Sequence, residues 1–309
     1  MIAVDWGSSN LRLYRLDAAG HVVERRRSGH GLQATPAQFE AVLAAEIADW
    51  NDPLVLLSGM VGSRSGWREV AYLPCPVGID ELANGLSPLP APALGGRELW
   101  IVPGISDTGS EAVPDVMRGE ETQLAALLAV LPRGNHVACL PGTHSKWVTI
   151  NDGRIQRVAT AMTGELYAVL RNHSMLGALM PVDDSRFDAW AFEQGLKRSR
   201  QPGGLPHHLF GVRTLGLFKQ MESSALPSYL SGLLVGHEIL ASGALQHAPR
   251  LSQVHLIGND RLLALYAQAL TSWGVGVQRH PEDLAARGMH ALWLRRQALL
   301  GAVAANASE

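Results

Sequence analysis

Ile2-Ala3-Val4-Asp5-Trp6-Gly7-Ser8-Ser9-Asn10-Leu11-Arg12 decides how the chain is read. Three apolar residues run into an acid, a Gly/Ser/Ser/Asn loop follows, and Leu11-Arg12-Leu13-Tyr14-Arg15-Leu16 resumes an extended pattern. This predicts a strand, a tight polar loop and a second strand. The turn Asp17-Ala18-Ala19-Gly20 then leads to a third strand, His21 to Arg27. Gly7 allows close approach of the backbone to a ligand, and Ser8, Ser9 and Asn10 supply hydroxyl, amide and main-chain donors for phosphate oxygens. Asp5 closes the first strand, where a carboxylate can hold a hydrated magnesium ion. Taken alone, the stretch is equally a hairpin with a satisfied aspartate.

A second copy changes that balance. His136-Val137-Ala138-Cys139-Leu140 reads as a strand, Pro141-Gly142-Thr143-His144-Ser145-Lys146 as a polar loop, and Trp147 to Ile150 as the resumed strand. Asn151-Asp152-Gly153 turns the chain and Ile155 to Ala159 returns. Strand, loop, strand, turn and strand thus occur twice, roughly 135 residues apart, as an internal repeat with a domain change between the copies. Two such loops facing each other can grip a polyphosphate from both sides.

Between the copies, Thr35-Pro36 is expected to start a helix whose apolar face is Phe39, Val42, Leu43, Ile47 and Trp50, with Thr35 as its cap. Leu54 to Leu57 is a strand covered on both faces. It opens into Ser58-Gly59-Met60-Val61-Gly62-Ser63-Arg64-Ser65-Gly66-Trp67, a loop placed to hold substrate beyond a strand C-terminus. Asp115-Val116-Met117-Arg118-Gly119-Glu120-Glu121 precedes a helix from Thr122 to Leu131; its acids suit the helix dipole as well as chemistry. Beyond residue 163 helices are expected over Glu165–Arg171, Arg186–Arg198, His207–Met221 and Ser228–His247. Val254 to Ile257 is a strand ending in Gly258-Asn259-Asp260, and Gly274 to Gln278 is a last strand. A final helix is expected to be interrupted at Gly288 and frayed over Ala304–Glu309.

Composition narrows the function classes. Over 309 residues, 26 basic side chains face 28 acidic ones, with no basic run for nucleic acid. Cys75 and Cys139 are too few for a disulfide framework or a thiolate metal site, and as buried free thiols they suit a reducing cytoplasm. The most apolar stretch, Leu226 to Leu245, is interrupted by Ser228, Ser231, His237, Glu238 and Ser242, so no membrane span is expected. No Gly-Lys-Ser/Thr phosphate loop and no His-Glu-x-x-His motif occurs, which disfavours a Walker-type NTPase and a zinc hydrolase.

The Asp5–Arg12 stretch resembles the first phosphate loop of the sugar kinase/actin/Hsp70 superfamily. Pro141–Trp147 resembles its second phosphate loop, and Leu256-Ile257-Gly258-Asn259 its adenosine loop, although Asn259-Asp260 stands where a small hydroxyl residue is expected. Within that superfamily the chain is most similar to the 2-dehydro-3-deoxygalactonokinase family. The segments that carry this are Ser58–Ser63 with Gly66-Trp67 and Tyr72, Asp115–Thr122, Pro141–Trp147, and Thr163-Gly164-Glu165-Leu166-Tyr167. The resemblance spans nearly the whole chain. It implies an α/β protein of two ribonuclease-H-like (actin-like ATPase) domains, 1–118 and 119–309, around a nucleotide cleft. It also implies ATP and Mg2+ as cofactors, and phosphorylation of the C6 hydroxyl of 2-dehydro-3-deoxy-D-galactonate. The partners it implies are a small sugar acid and ATP, with a homodimer left open.

On that resemblance Asp5 is assigned to magnesium. Gly7, Ser8, Ser9 and Asn10 from one loop, and Gly142, Thr143, His144, Ser145 and Lys146 from the other, are assigned to phosphate, and Gly258 and Asn259 to adenosine. Arg12, Ser58, Gly59, Met60, Arg64 and Trp67, with Glu165 and Tyr167, are assigned to the anionic sugar acid. The catalytic base is placed among Asp115, Glu120 and Glu121, with Asp115 first and Glu120 second. Another sugar or sugar-acid kinase and a non-catalytic nucleotide-binding regulator are the competing readings.

Overall fold

The computed structural model describes residues 1–109, 113–183, 186–243, 253–281 and 283–306. The chain forms two compact units. The first comprises Met1–Asn135, Thr149–Val158 and Glu282–Glu309; the second comprises His136–Val148 and Ala159–Pro281.

The first unit opens with the expected meander β1 (Ile2–Trp6), β2 (Leu11–Leu16) and β3 (Val22–Ser28), followed by helix α1 (Phe39–Glu46) and β4 (Leu54–Gly59). Then come β5 (Leu73–Pro74), β6 (Val77–Gly78), α2 (Ile79–Asn84), β7 (Ser87–Pro88), β8 (Glu98–Ile101), β9 (Ile105–Asp107), β10 (Asp115–Met117) and α3 (Glu120–Leu128). The main sheet has the order β3-β2-β1-β4-β8-β7, with β1 antiparallel to β2 and parallel to β4. Alternation along β1 sends Ile2, Val4 and Trp6 into one core with Phe39 and Leu43 of α1 and Ile47 just after it. Asp5 falls on the other face, opposite Arg12 on β2 and Ser58 on β4.

Two local expectations are corrected here. Helix α1 starts at Phe39, not at Pro36, and Thr35 does not cap it: its hydroxyl donates to the carbonyls of His30 and Gly31. The C-terminal helix Leu284–Asn306 runs through Gly288 and past Ala304 without interruption. Gly288 is where this helix crosses α3: an ideal Cβ there would lie 1.6 Å from the Thr122 carbonyl oxygen. The glycine serves helix contact, not a break. The rest of the expected frayed end lies outside the described residues.

The chain passes between the units within β12 (Ser145–Asn151) and β13 (Arg154–Ala161), which follow β11 (Asn135–Leu140). The second unit continues with α4 (Thr163–His173), α5 (Ala189–Ser199), α6 (Gly204–Leu217), α7 (Leu226–Ala241), β14 (Val254–Ile257), the helix Asp260–Ser272 and β15 (Val277–His280). The order β13-β12-β11-β14-β15 reproduces β3-β2-β1-β4-β8, so the repeat read from sequence is a repeat of sheet topology. Helix α7 ends at Ala241, six residues before the expected end at His247, which lies outside the described residues. Cys139 is buried as expected, whereas Cys75 is only partly so. Among the described residues no helix is long and apolar enough to cross a membrane.

Candidate functional site

In the first unit the Gly7–Asn10 loop closes on itself, Gly7 N–H donating to the Asn10 carbonyl at 2.9 Å. Two bonds hold it from behind: Leu32 N–H to the Gly7 carbonyl and Gln33 N–H to the Ser8 carbonyl, each 3.0 Å. Ser8 and Ser9 stay exposed. Arg27 donates to Asn10 Oδ1 at 3.2 Å, so the amide oxygen is taken as an acceptor and the nitrogen is the donor end of that side chain. Arg12 donates to Asp5 Oδ2 at 3.0 Å.

The loop after β4 meets this one through glycine. Gly59 sits at φ 91°, and an ideal Cβ on it would lie 2.8 Å from the Trp6 carbonyl oxygen and 3.4 Å from Asp5 Oδ1. Gly119, at φ 115°, stands against Gly59 in turn, its ideal Cβ 3.4 Å from the Gly59 Cα. Only glycine fits this succession without strain. It brings Asp5, Ser58-Gly59 and Gly119-Glu120 together. The Arg118 guanidinium carbon lies over the Tyr72 ring, 4.2 Å from its centroid, and the side chain donates to the Val70 carbonyl at 2.6 Å. Ser58 Oγ, Arg118 Nε and Nη1, and Glu121 Oε1 are buried polar atoms with unused capacity.

The three acids differ in setting. Asp115 is on β10 and accepts its neighbour Val116's N–H. Glu120 opens α3 and is half-buried. Glu121 is fully buried and accepts Gly119 N–H at 2.6 Å. Desolvation, then the Glu120 charge, pushes its carboxyl from the ordinary 4.5 up to about 8. An acid raised on folding contributes stability that is whole below its unfolded pKa and lost as pH rises through the folded one. Urea midpoints measured at pH 5 and pH 8.5 therefore fall less for Glu121→Gln than for the native chain. Equal slopes would refute the assignment.

Arg64 is exposed and pairs with Glu69 at 3.6 Å, while Trp67 stacks on Phe39 with ring centroids 6.3 Å apart. Met60 is half-buried just after Gly59.

In the second unit, helix α4 packs against the Gly142–Ser145 loop. Glu165 N–H donates to the Thr143 carbonyl at 3.0 Å, and the Glu165 carboxylate meets His144 Nε2. Gly164 is in backbone contact with the loop: an ideal Cβ would lie 2.4 Å from the Gly142 carbonyl oxygen. Lys146 is buried on β12 and its ammonium donates to Thr160 Oγ1 at 2.8 Å. Asn259 caps the helix Asp260–Ser272 through Leu262 N–H, behind Gly258 at φ 155°. A cavity of about 340 Å³ is lined by Gly142, Gly164, Tyr167, Asn259 and Tyr266. Glu165 thus contacts the Gly142–Ser145 loop, and Tyr167 lines the same cavity as Gly142.

Sequence reasoning missed part of this wall. Ser228 and Ser231 of α7, Arg186-Phe187, Arg261 and Tyr266 also line the cavity. The signal for the two serines was present: they are polar interruptions of the most apolar stretch of the chain.

Two loops of phosphate type on a duplicated sheet define the class, an ATPase-like or sugar-kinase fold. The activator of the 2-hydroxyisocaproyl-CoA dehydratase from Clostridium difficile, solved with bound ADPNP, shares that fold. Its TM-score is 0.51 at 11% identity, over 97% of this chain and 96% of the other. The crystal structure of a candidate 2-dehydro-3-deoxygalactonokinase from Sinorhizobium meliloti superposes with a TM-score of 0.86 at 34% identity, over 96% of this chain and 98% of that one. The 2-dehydro-3-deoxygalactonokinase of Escherichia coli (strain K12) is 35% identical over 92% of this chain and 94% of its own length. The family model described as 2-keto-3-deoxy-galactonokinase matches residues 5–292, and the chain belongs to that family.

Proposed function

We propose that the chain transfers the terminal phosphoryl group of ATP to the C6 hydroxyl of 2-dehydro-3-deoxy-D-galactonate, giving the 6-phosphate. One observation carries the reading: Gly142 of the second phosphate loop and Asn259 of the adenosine loop, far apart in sequence, line a single cavity of about 340 Å³. That volume lies in the range of small-molecule and cofactor sites.

The donor nucleotide is assigned to the second unit. Its adenosine lies against Gly258-Asn259 and α7, and its phosphates take donors from Thr143 and His144. The acceptor is assigned to the first unit, on Ser58-Gly59-Met60, with the carboxylate of the sugar acid drawn by Arg12 or Arg64. Ser8, Ser9 and the amide nitrogen of Asn10 donate to the transferring phosphoryl oxygens. Asp5 is a single carboxylate with one oxygen on Arg12. It fits an ion that keeps its waters and takes further ligands from phosphate, as Mg2+ does. When bound, that ion neutralises charge on the phosphates. Glu120 takes the C6 proton as the hydroxyl attacks.

A coupled assay of ADP release tests the reading, run with the galacto acid, its gluco epimer and no sugar. Release that depends on the galacto acid is expected. ADP release indifferent to every sugar acid would sink it.

A further inference from the structure

We propose that Glu238 is a positioning residue for the nucleotide, its buried carboxylate tying the second phosphate loop and the start of α4 to α7. The inference deepens the kinase reading and rests on it. Glu238 lies one turn beyond Leu234 and Val235, which line the cavity, and is 6% exposed. No cation pairs with it among the described ion pairs. Instead Trp147 Nε1 donates to Oε1 at 2.8 Å and the Tyr266 hydroxyl donates to Oε2 at 2.6 Å. The Thr163 and Ser145 hydroxyls stand near the same carboxylate; burial raises its pKa, and the polar groups around it oppose the rise.

The network has a direction. Tyr266 has one hydroxyl proton, and at 2.6 Å it goes to Glu238. In the 3.0 Å contact between Tyr266 and Ser145, the tyrosine oxygen therefore accepts. Ser145 Oγ is left to accept the long 3.5 Å bond from Gly142 N–H. Donors thus run from Gly142 through Ser145 and Tyr266 to a group that only accepts when ionised. This turns the Gly142 amide inward and leaves Thr143 and His144 to present donors to an anion. Thr163, Gly142 and Tyr266 all border the cavity, so one carboxylate sets the register of three parts of its wall. Trp147 shares an apolar core with Phe192, Ile239 and Tyr266, but unlike Tyr266 it does not line the cavity.

Three variants separate positioning from packing: Glu238→Gln, Tyr266→Phe and Trp147→Phe, each assayed for ADP release and for ADP binding by calorimetry. The glutamine keeps the shape but puts an amide N–H against donors. Glu238→Gln is expected to raise the ATP KM about tenfold or more, the scale of one charge-assisted bond, with the sugar-acid KM unchanged. Tyr266→Phe, which cuts the link to Ser145, moves the ATP KM in the same direction. Trp147→Phe lowers Tm and leaves the ATP KM as it was. An unchanged ATP KM in folded Tyr266→Phe overturns the proposal. So does an equal rise in Trp147→Phe, which would reduce Glu238 to a core contact. If the native chain shows no sugar-dependent ADP release, the kinase reading fails instead, and the ADP affinities of the three variants still decide the role of Glu238.

Discussion

Glu120→Gln lowers kcat by about 10²- to 10⁴-fold, the usual contribution of a general base, while the ATP KM stays nearly constant. The expectation follows from where backbone contacts put the three acids. Gly119 stands on Gly59, and Gly59 stands on Asp5, so the residue after Gly119 opens α3 beside the first phosphate loop. Asp115 lies four residues before Gly119, on β10, paired across the strand with Asp107. Glu121 is sealed in and holds the Gly119 amide, and with its carboxyl raised to about 8 it is mostly protonated at pH 7. Glutamine mimics that neutral form, so Glu121→Gln keeps kcat at pH 7. Steady-state kinetics of Glu120→Gln, Glu121→Gln and Asp115→Asn decide the matter: full activity in the first with loss in the third moves the base to Asp115.

The second large effect is on nucleotide affinity. Gly164→Ala weakens ADP binding by about 5- to 150-fold, the equivalent of the roughly 1–3 kcal/mol that overpacking costs. The added methyl would lie 2.4 Å from the Gly142 carbonyl oxygen and 2.8 Å from the Thr143 Cα. Those are backbone atoms of the phosphate loop and cannot swing aside as a side chain does, so the loop itself must shift, straining the Glu165-to-Thr143 bond. Calorimetry with ADP measures the loss, and circular dichroism checks that the fold persists. Native affinity in this variant would mean that α4 does not shape the loop.

Local signals carried far in this chain. Apolar runs that end in Gly/Ser/Thr loops marked both phosphate-type hairpins, because strand pattern and turn chemistry depend on neighbours in sequence. What escaped depended on distant partners. Glu120 and Glu121 are adjacent acids whose burial sequence does not distinguish, and on sequence Asp115 ranks ahead of both; α3 seals Glu121, and the helix covering α3 comes some 160 residues later, at Gly288. Lys146 reads as part of a polar loop, yet it is the second residue of β12, and Thr160 on β13 holds its ammonium. Thr35-Pro36 has the form of a helix start, but Thr35 Oγ1 is spent on two carbonyls and the helix waits for Phe39. Tyr266 reads as one apolar face residue among leucines. Its hydroxyl acquires a function only because α7 brings Glu238 to it.

The Thr122–Gly288 contact also bears on biosynthesis. Thr122 emerges from the ribosome well before the residues that cover it, since the helix against it begins only at Leu284. Until that helix is made, α3, with its buried Leu124 and Leu128, lacks the partner that crosses it at Thr122, and exposed apolar surface invites aggregation. A stop codon before Leu284 therefore costs more than the helix itself, because it leaves the unit that starts with Met1 without the wall that crosses α3.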